Sequence, residues 1–305
     1  MASPLRLTLG DGSAGAVDAA DLWAAVVDEF EEAETAMSRF RDDSELTILN
    51  RTADSGVALR PSPRLRRALV AADRARRITG GRFDPRILRD LDRLGYRGAD
   101  VGAAGPGSAG TDRADPSGPV FERIGRDMVT VARPIDLGGI GKGLTLRWAA
   151  ALLADREVDD VMIEAGGDLV ALGRSPDGGP WRLGIEDPVG DDGPLAVIAV
   201  SGLAVATSST RLQRWTANGR SVHHLLDPRT GEPVDGGLAA VTVAWPDPAW
   251  AEVWSKVLFL GGRGRIAVEA RSRGLAAWWV ADDGTLEMTP AARRLTIWVA
   301  AEAGT

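Results

Sequence analysis

The stretch Ile135–Gly143, reading I-D-L-G-G-I-G-K-G, constrains this chain more than any other. It places glycines at 138, 139, 141 and 143 between a short apolar approach (Val129, Val131) and a helix-forming run, Leu144–Leu153. Glycine takes φ > 0 without a Cβ clash, so such a run can turn tightly and let a ligand approach the backbone. The helix that follows points unpaired N–H groups and the positive end of its dipole into the turn. Lys142 adds a full positive charge there and Asp136 an anionic group, which suits a phosphate or diphosphate. The same residues also suit a plain strand-to-helix turn with Lys142 in water. The spacing matches neither G-x-x-x-x-G-K-[ST] nor G-x-G-x-x-G, so neither the P-loop nor the dinucleotide fingerprint applies.

With 305 residues the chain has ample length for a core, as one large domain or two modest ones. A net charge of −7 argues against a nucleic-acid-binding surface, which calls for a basic stripe. Cysteine is absent, which removes disulfides, thiolate metal sites and thiol nucleophiles. The N-terminus, MASPLRLTLGDGS, lacks the continuous apolar core of a signal peptide. No apolar run approaches the roughly 20 residues of a membrane span. A soluble, cytoplasmic protein without a membrane span is therefore expected. The chain's two histidines are adjacent, His223 and His224, so imidazole chemistry near neutral pH is confined to one place.

Along the chain, Leu5–Leu9 alternates like a half-buried strand. From Asp18 to Phe40, apolar residues Leu22, Val26, Phe30, Ala33, Met37 and Phe40 recur every three or four positions, an amphipathic helix. A polar segment, Arg41 to Leu46, closes on Leu49-Asn50. Ser62-Pro63 starts a second helix and Gly80-Gly81 ends it. Residues 98–118, mostly Gly, Ala, Pro and Asp, read as a flexible loop or insertion. Strands are expected at Val161–Glu164, Leu169–Leu172, Trp181–Ile185, Ala196–Val200, Ala204–Ala206, Ser221–Leu225, Ala239–Trp245, Ala276–Ala281 and Thr296–Ala300. Helices are expected at Ala249–Leu260, behind Pro248, and at Ile266–Arg273. Strands clustered between helices without regular βαβ alternation favour an α+β fold over a doubly wound sheet.

The segment Val222-His223-His224-Leu225-Leu226-Asp227-Pro228-Arg229-Thr230-Gly231 delivers two histidines on an apolar strand and then turns the chain. Successive strand residues face opposite sides, so only one histidine can face a given cleft. A surface hairpin with incidental histidines is the competing reading.

Taken together, these motifs resemble the ApbE-type FAD:protein FMN transferases, a family that attaches FMN to a threonine of a partner flavoprotein. The resemblance rests on Asp43-Ser44-Glu45 with Asn50, Gly80 to Pro85, Asp136 to Gly143, Gly166-Gly167-Asp168, Gly184 to Pro188, Ala206-Thr207-Ser208 and His224 to Gly231, in the family's order. It implies a single large mixed α+β domain over residues 1–305, of two intermixed lobes in the ApbE (T-fold-like) architecture, with the active site in the cleft between them. It also implies FAD as donor substrate and a target flavoprotein as partner. By the resemblance His224 takes the proton of the acceptor threonine, and Lys142 and Asp136 complete the catalytic set. FAD binding falls to Asp84, Gly138, Gly139, Gly141, Gly166, Gly167, Asp168, Thr207, Ser208 and Asp227.

Relatives bind Mg²⁺ through an Asp and a Thr one helical turn apart and a backbone carbonyl. Here the helix reads Ala251-Glu252-Val253-Trp254-Ser255-Lys256. Glu252 and the Gly141 carbonyl remain as metal ligands, but Lys256 stands where the family has its threonine and cannot ligate a hard cation. Glu252 and Lys256 are also spaced to pair on one helix face. Either the Lys256 ammonium partly replaces the ion, or Lys256 bends away and Mg²⁺ binds. FAD hydrolysis to FMN and AMP, and a non-catalytic FAD-binding module that has lost its metal, are the alternative functions.

Overall fold

The computed structural model describes residues 4–10, 12, 18–96, 118–190, 193–211, 213–217 and 219–300. The loop expected over 98–118 lies outside these residues apart from Gly118. Among the described residues, the first half of the chain runs β1 (Leu5–Leu9), α1 (Ala19–Met37), α2 (Glu45–Arg51), α3 (Pro63–Ile78), α4 (Leu88–Arg93), β2 (Glu122–Ile124), β3 (Met128–Thr130) and α5 (Gly141–Ala154). A long run of strands follows: β4 (Val161–Ala165), β5 (Asp168–Leu172), β6 (Trp181–Glu186), β7 (Pro194–Val200), β8 (Leu203–Ser209), β9 (Arg214–Ala217), β10 (Arg220–His223), β11 (Leu226–Asp227), β12 (Glu232–Pro233) and β13 (Leu238–Trp245). The chain ends with α6 (Pro248–Gly261), α7 (Arg263–Ser272), β14 (Ala276–Ala281), β15 (Leu286–Met288), α8 (Pro290–Leu295) and β16 (Thr296–Val299).

These elements form two compact units, one of Asp28–Gly141 with Leu212–Val234, the other of Ser3–Val27, Lys142–Arg211 and Asp235–Thr305. The second unit is built on a seven-stranded sheet in the order β1-β4-β5-β8-β13-β14-β15, antiparallel at every pairing. Trp181, Ile198, Val205 and Trp278 belong to a buried cluster that joins this sheet to the three-stranded sheet β16-β7-β6. Helix α6, preceded by Asp247, which caps Trp250 N–H at 3.1 Å, packs on β8 and β13. Mixed helix and antiparallel sheet is the class that the residue pattern favours.

In the first unit, Ser62 caps α3 through Leu65 N–H (3.2 Å) and Pro63 opens it, as its sequence requires. The polar segment before Asn50 folds further than expected: Ser44 accepts from Thr47 N–H at 3.0 Å and starts α2, with Leu46 and Leu49 buried three positions apart. Helix α1 stops at Met37 rather than Phe40, and Phe40 N–H turns back to the Ser38 hydroxyl at 3.2 Å. A second buried cluster packs Leu91 and Leu94, from α4 and its end, against Trp215, Val222 and Leu226 of β9, β10 and β11. His223 ends β10, and His224 follows it toward Tyr96, which packs against this cluster.

Candidate active site

The turn before α5 departs from its expected backbone. None of Gly138, Gly139, Gly141 and Gly143 has a positive φ. Ile140 and Gly141 N–H groups instead donate to the Leu137 carbonyl at 3.1 and 2.7 Å, so the chain winds right-handed straight into α5. Helix α5 accordingly begins at Gly141, three residues before the apolar run. A Cβ on Gly141 would meet nothing within 4 Å, whereas one on Gly143 would lie 2.5 Å from the Pro248 carbonyl oxygen. Close approach of α6, and not a left-handed turn, is the reason for glycine at 143.

Asp136 sits at the head of this turn. Its Oδ1 accepts from Gly138 N–H at 2.8 Å, and its own N–H donates to Pro85 C=O at 2.7 Å. Asn50 brackets the preceding Ile135, donating to its carbonyl at 2.8 Å and accepting its N–H at 2.9 Å. Arg39, whose side chain is 6% exposed, pairs through Nε with Asp136 Oδ2 at 3.7 Å and bonds Asp92 Oδ1 and the Tyr96 carbonyl, both at 3.1 Å. Its guanidinium carbon lies 4.5 Å from the Phe40 ring centroid and 4.9 Å from that of Tyr96. Tyr96 in turn stacks on Trp215 (5.3 Å between centroids, 27°) and on His224 (5.8 Å, 19°). The first unit thus gathers Asp136, Arg39, Tyr96 and the His224 imidazole through a chain of contacts.

The two histidines differ as strand alternation demands. His223 is buried and has both ring nitrogens bonded to backbone, while His224 is half-buried on the Tyr96 ring. The expected strand Ser221–Leu225 stops at His223, because Leu225 N–H leaves the ladder to donate to His223 Nδ1 at 3.2 Å. Asp227 turns its carboxylate on its own loop, accepting Arg229 N–H at 2.9 Å and the Arg229 guanidinium at 2.7 Å. That hydrogen bond, reinforced by the opposite charge, holds the Arg229 pKa above its usual value. Asp84 is likewise committed: it accepts Arg86 Nε at 2.9 Å and Arg86 Nη2 at 2.7 Å, with both residues buried.

In the second unit, the first turn of α5 is held from two sides. The Lys142 ammonium contacts Asp168 Oδ2, and Asp168 Oδ1 accepts Thr207 N–H at 3.0 Å. Gly166 and Gly167 supply the two positive φ values (58° and 87°) that bring β4 round to β5 and set Asp168 opposite Ala165. Thr207 is exposed and shares its hydroxyl with Thr242 at 2.9 Å. Ser208 is buried and donates to Ser255 Oγ at 2.8 Å, since Ser255 gives its own proton to the Glu252 carbonyl at 2.9 Å.

Gly143 N–H donates to Glu252 Oε2 at 2.9 Å, and the Lys256 ammonium lies 3.3 Å from Glu252 Oε1. Glu252 is 0% exposed, so its charge is balanced inside the protein by one amide and one ammonium. Lys256 does not bend away.

The ApbE family model matches residues 1–279. The chain belongs to the ApbE family. Among ApbE-family relatives, the FAD:protein FMN transferase of Haemophilus influenzae is 27% identical over 80% of this chain and 73% of its own length. That of Vibrio cholerae serotype O1 is 28% identical over 90% of this chain and 84% of its own. The crystal structure of the ApbE protein from Thermotoga maritima matches with a TM-score of 0.79 at 23% identity, covering 96% of this chain and 99% of that one. The apo form of the Pseudomonas stutzeri flavinyl transferase ApbE gives 0.77, again at 23% identity. At that identity the structures establish the ApbE fold.

Four residues with notable contacts escape a reading of the sequence: Arg39 and Tyr96 in the first unit, Thr242 and Ser255 in the second. Arg39 and Tyr96 lie just past the ends of α1 and α4, and Thr242 and Ser255 meet Thr207 and Ser208, 35 and 47 positions away. The aromatic character of positions 40 and 96 is the one local signal. Among the described residues, no helix is long and apolar enough to cross a membrane.

Proposed function

We propose that this protein is an FAD:protein FMN transferase, taking FAD as donor and moving its FMN moiety to a target flavoprotein with release of AMP. The observation that carries this reading is the match, over 80% and 90% of the chain, to relatives named for that activity. In the proposed reaction His224 takes the proton from a threonine hydroxyl of the target, a general-base task for which imidazole is suited. The threonine oxygen forms a bond to the FMN-side phosphorus, the bond to the AMP phosphate breaks, and AMP departs. Positioning and charge neutralisation do most of the work in such a transfer. Lys142, held against Asp168, and the positive end of the α5 dipole supply positive character to the diphosphate. Asp136, fixed by Gly138 N–H and Arg39, orders the turn.

The donor set at Glu252 does not fit a Mg²⁺ ion. Both of its carboxylate oxygens are engaged, one of them by an ammonium that a divalent cation would have to displace. Of the two readings of this position, the ion pair supports the one in which Lys256 provides the positive charge, and no step of the reaction is routed through a metal.

The test incubates the protein with FAD and a flavin-acceptor domain, with and without Mg²⁺, followed by mass spectrometry of the acceptor. An FMN adduct with stoichiometric AMP, lost when the acceptor threonine is changed to alanine, is expected. Free FMN plus AMP would make the protein an FAD pyrophosphatase, and unchanged FAD would make it a binding module.

A further inference from the structure

The buried imidazole next to the proposed base is itself wired into the backbone on both sides of it. Leu225 N–H donates to His223 Nδ1 at 3.2 Å, so that nitrogen carries no proton. The proton therefore sits on Nε2, which is 3.1 Å from the Val234 carbonyl and donates to it. Val234 N–H closes the circuit by donating to the Leu225 carbonyl at 3.2 Å. Leu225 and Val234 are thus tied together twice, once directly and once through the His223 ring.

His224 is the residue between the two ends of this clamp. Its backbone is fixed by His223 before it, at the end of β10, and by Leu225 after it, leaving its ring to settle on Tyr96 at 5.8 Å. A side chain at 223 must present an acceptor and a donor on opposite edges of one rigid plane. A neutral imidazole does this; Phe fills the space but strands an N–H and a C=O, and both groups would then be buried without a partner.

We infer that His223 is a positioning residue for His224, held as the neutral Nε2–H tautomer and fixing the backbone from which the His224 imidazole projects. The inference rests on the proposed role of His224 as the proton acceptor. It concerns orientation, so its signature lies in turnover rather than in FAD binding.

With only two histidines in the chain, nitrogen-15 labelling of histidine gives a spectrum of two imidazoles. One is expected to show a protonated Nε2 and an unprotonated Nδ1, assigned to 223 by its loss in His223→Gln. In kinetics, His223→Phe is expected to lower kcat between about tenfold and a hundredfold with KM for FAD changed less than about twofold. His223→Gln, which keeps a donor for Val234, should recover part of the loss. An Nδ1–H tautomer at 223, or a folded His223→Phe protein with wild-type kcat, overturns the inference. His224→Asn separates the two ideas: if it is inactive while His223→Phe is normal, the clamp alone fails. If His224→Asn transfers FMN at the wild-type rate, the base assignment fails and the clamp's role falls with it. Should His223→Phe not fold, the tautomer in the wild-type protein and the kcat of His223→Gln still decide.

Discussion

Tyr96 and His224 lie nearly parallel, with ring centroids 5.8 Å apart and planes 19° from parallel. The other contacts of Tyr96 show how this stack is kept in place: Trp215 packs on it at 5.3 Å and Arg39 bonds its carbonyl. An aromatic pair of this kind is worth about 0.5–1.5 kcal/mol beyond the area it buries. Tyr96→Leu is therefore expected to lower kcat for flavin transfer by up to about tenfold, whereas Tyr96→Phe, which keeps the ring, should stay within about twofold. Steady-state kinetics at saturating FAD checks this, and equal losses in both variants would assign the effect to the hydroxyl instead.

The Glu252–Lys256 pair makes a separable prediction about cations. Glu252 is wholly buried and the Lys256 side chain is 18% exposed, so removing the ammonium leaves an uncompensated interior charge. Breaking such pairs costs about 3–5 kcal/mol. Lys256→Thr is expected to melt several degrees lower than wild type and to gain stability and turnover from added Mg²⁺, which can then reach Glu252. The wild-type rate should change little between chelator and millimolar Mg²⁺. A strict Mg²⁺ requirement in the wild-type protein would show that Lys256 does not take the ion's place.

The exposed Asp283–Arg263 pair makes a prediction about pH. Asp283 is held well below the usual carboxylate range by its hydrogen bond with Thr285 and then by Arg263, at 2.8 Å. A carboxylate whose folded pKa is depressed contributes stability that is present above its unfolded pKa and is lost as pH falls toward the folded one. The contribution of Asp283 should therefore be intact at neutral pH and decline below about pH 4. Asp283→Asn is expected to lower the melting temperature slightly at pH 7 and to converge with wild type as the pH drops toward 2. A constant difference across that range would rule out the ionised form as the cause.

How much of this was legible in the chain depends on where each partner sits. The stripe Leu22, Val26, Phe30, Ala33 and Met37 is a local period, and Ser62-Pro63 is a local start signal; both become helices close to the expected bounds. Glu252 and Lys256 are one helical turn apart, so their pairing follows from spacing once Ala249–Leu260 is read as helical. The glycine run misleads about its own backbone, because glycine is permitted φ > 0 without being compelled to use it, and Gly143 answers to α6, more than 100 positions later. Strand alternation separates the two histidines but does not say that one ring serves as a backbone bridge. The Arg39–Tyr96–His224 contacts join three distant positions, and no local pattern announces them. Asp84 and Ser208, expected to face FAD, turn their polar atoms to Arg86 and Ser255, partners that the sequence presents but does not aim.

Asp168 offers the sharpest separation of charge from hydrogen bonding. One of its oxygens takes Thr207 N–H at 3.0 Å and the other takes the Lys142 ammonium, while the residue itself is 2% exposed. Asp168→Asn keeps an acceptor for Thr207 and removes the charge that aims Lys142. The Lys142 side chain is 23% exposed, so its ammonium can then turn to water, away from a bound diphosphate. A hydrogen bond to a charged group is worth about 1.5–3 kcal/mol, so FAD should bind roughly tenfold or more weakly. Lys142→Met, made alone and together with Asp168→Asn, completes a cycle. If Asp168 acts by aiming Lys142, adding Asp168→Asn to Lys142→Met should weaken FAD binding little further. Flavin-fluorescence titration gives the affinities and thermal melting gives the folding cost of each variant. A lower melting temperature with unchanged FAD affinity would confine the pair to holding α5 against β5.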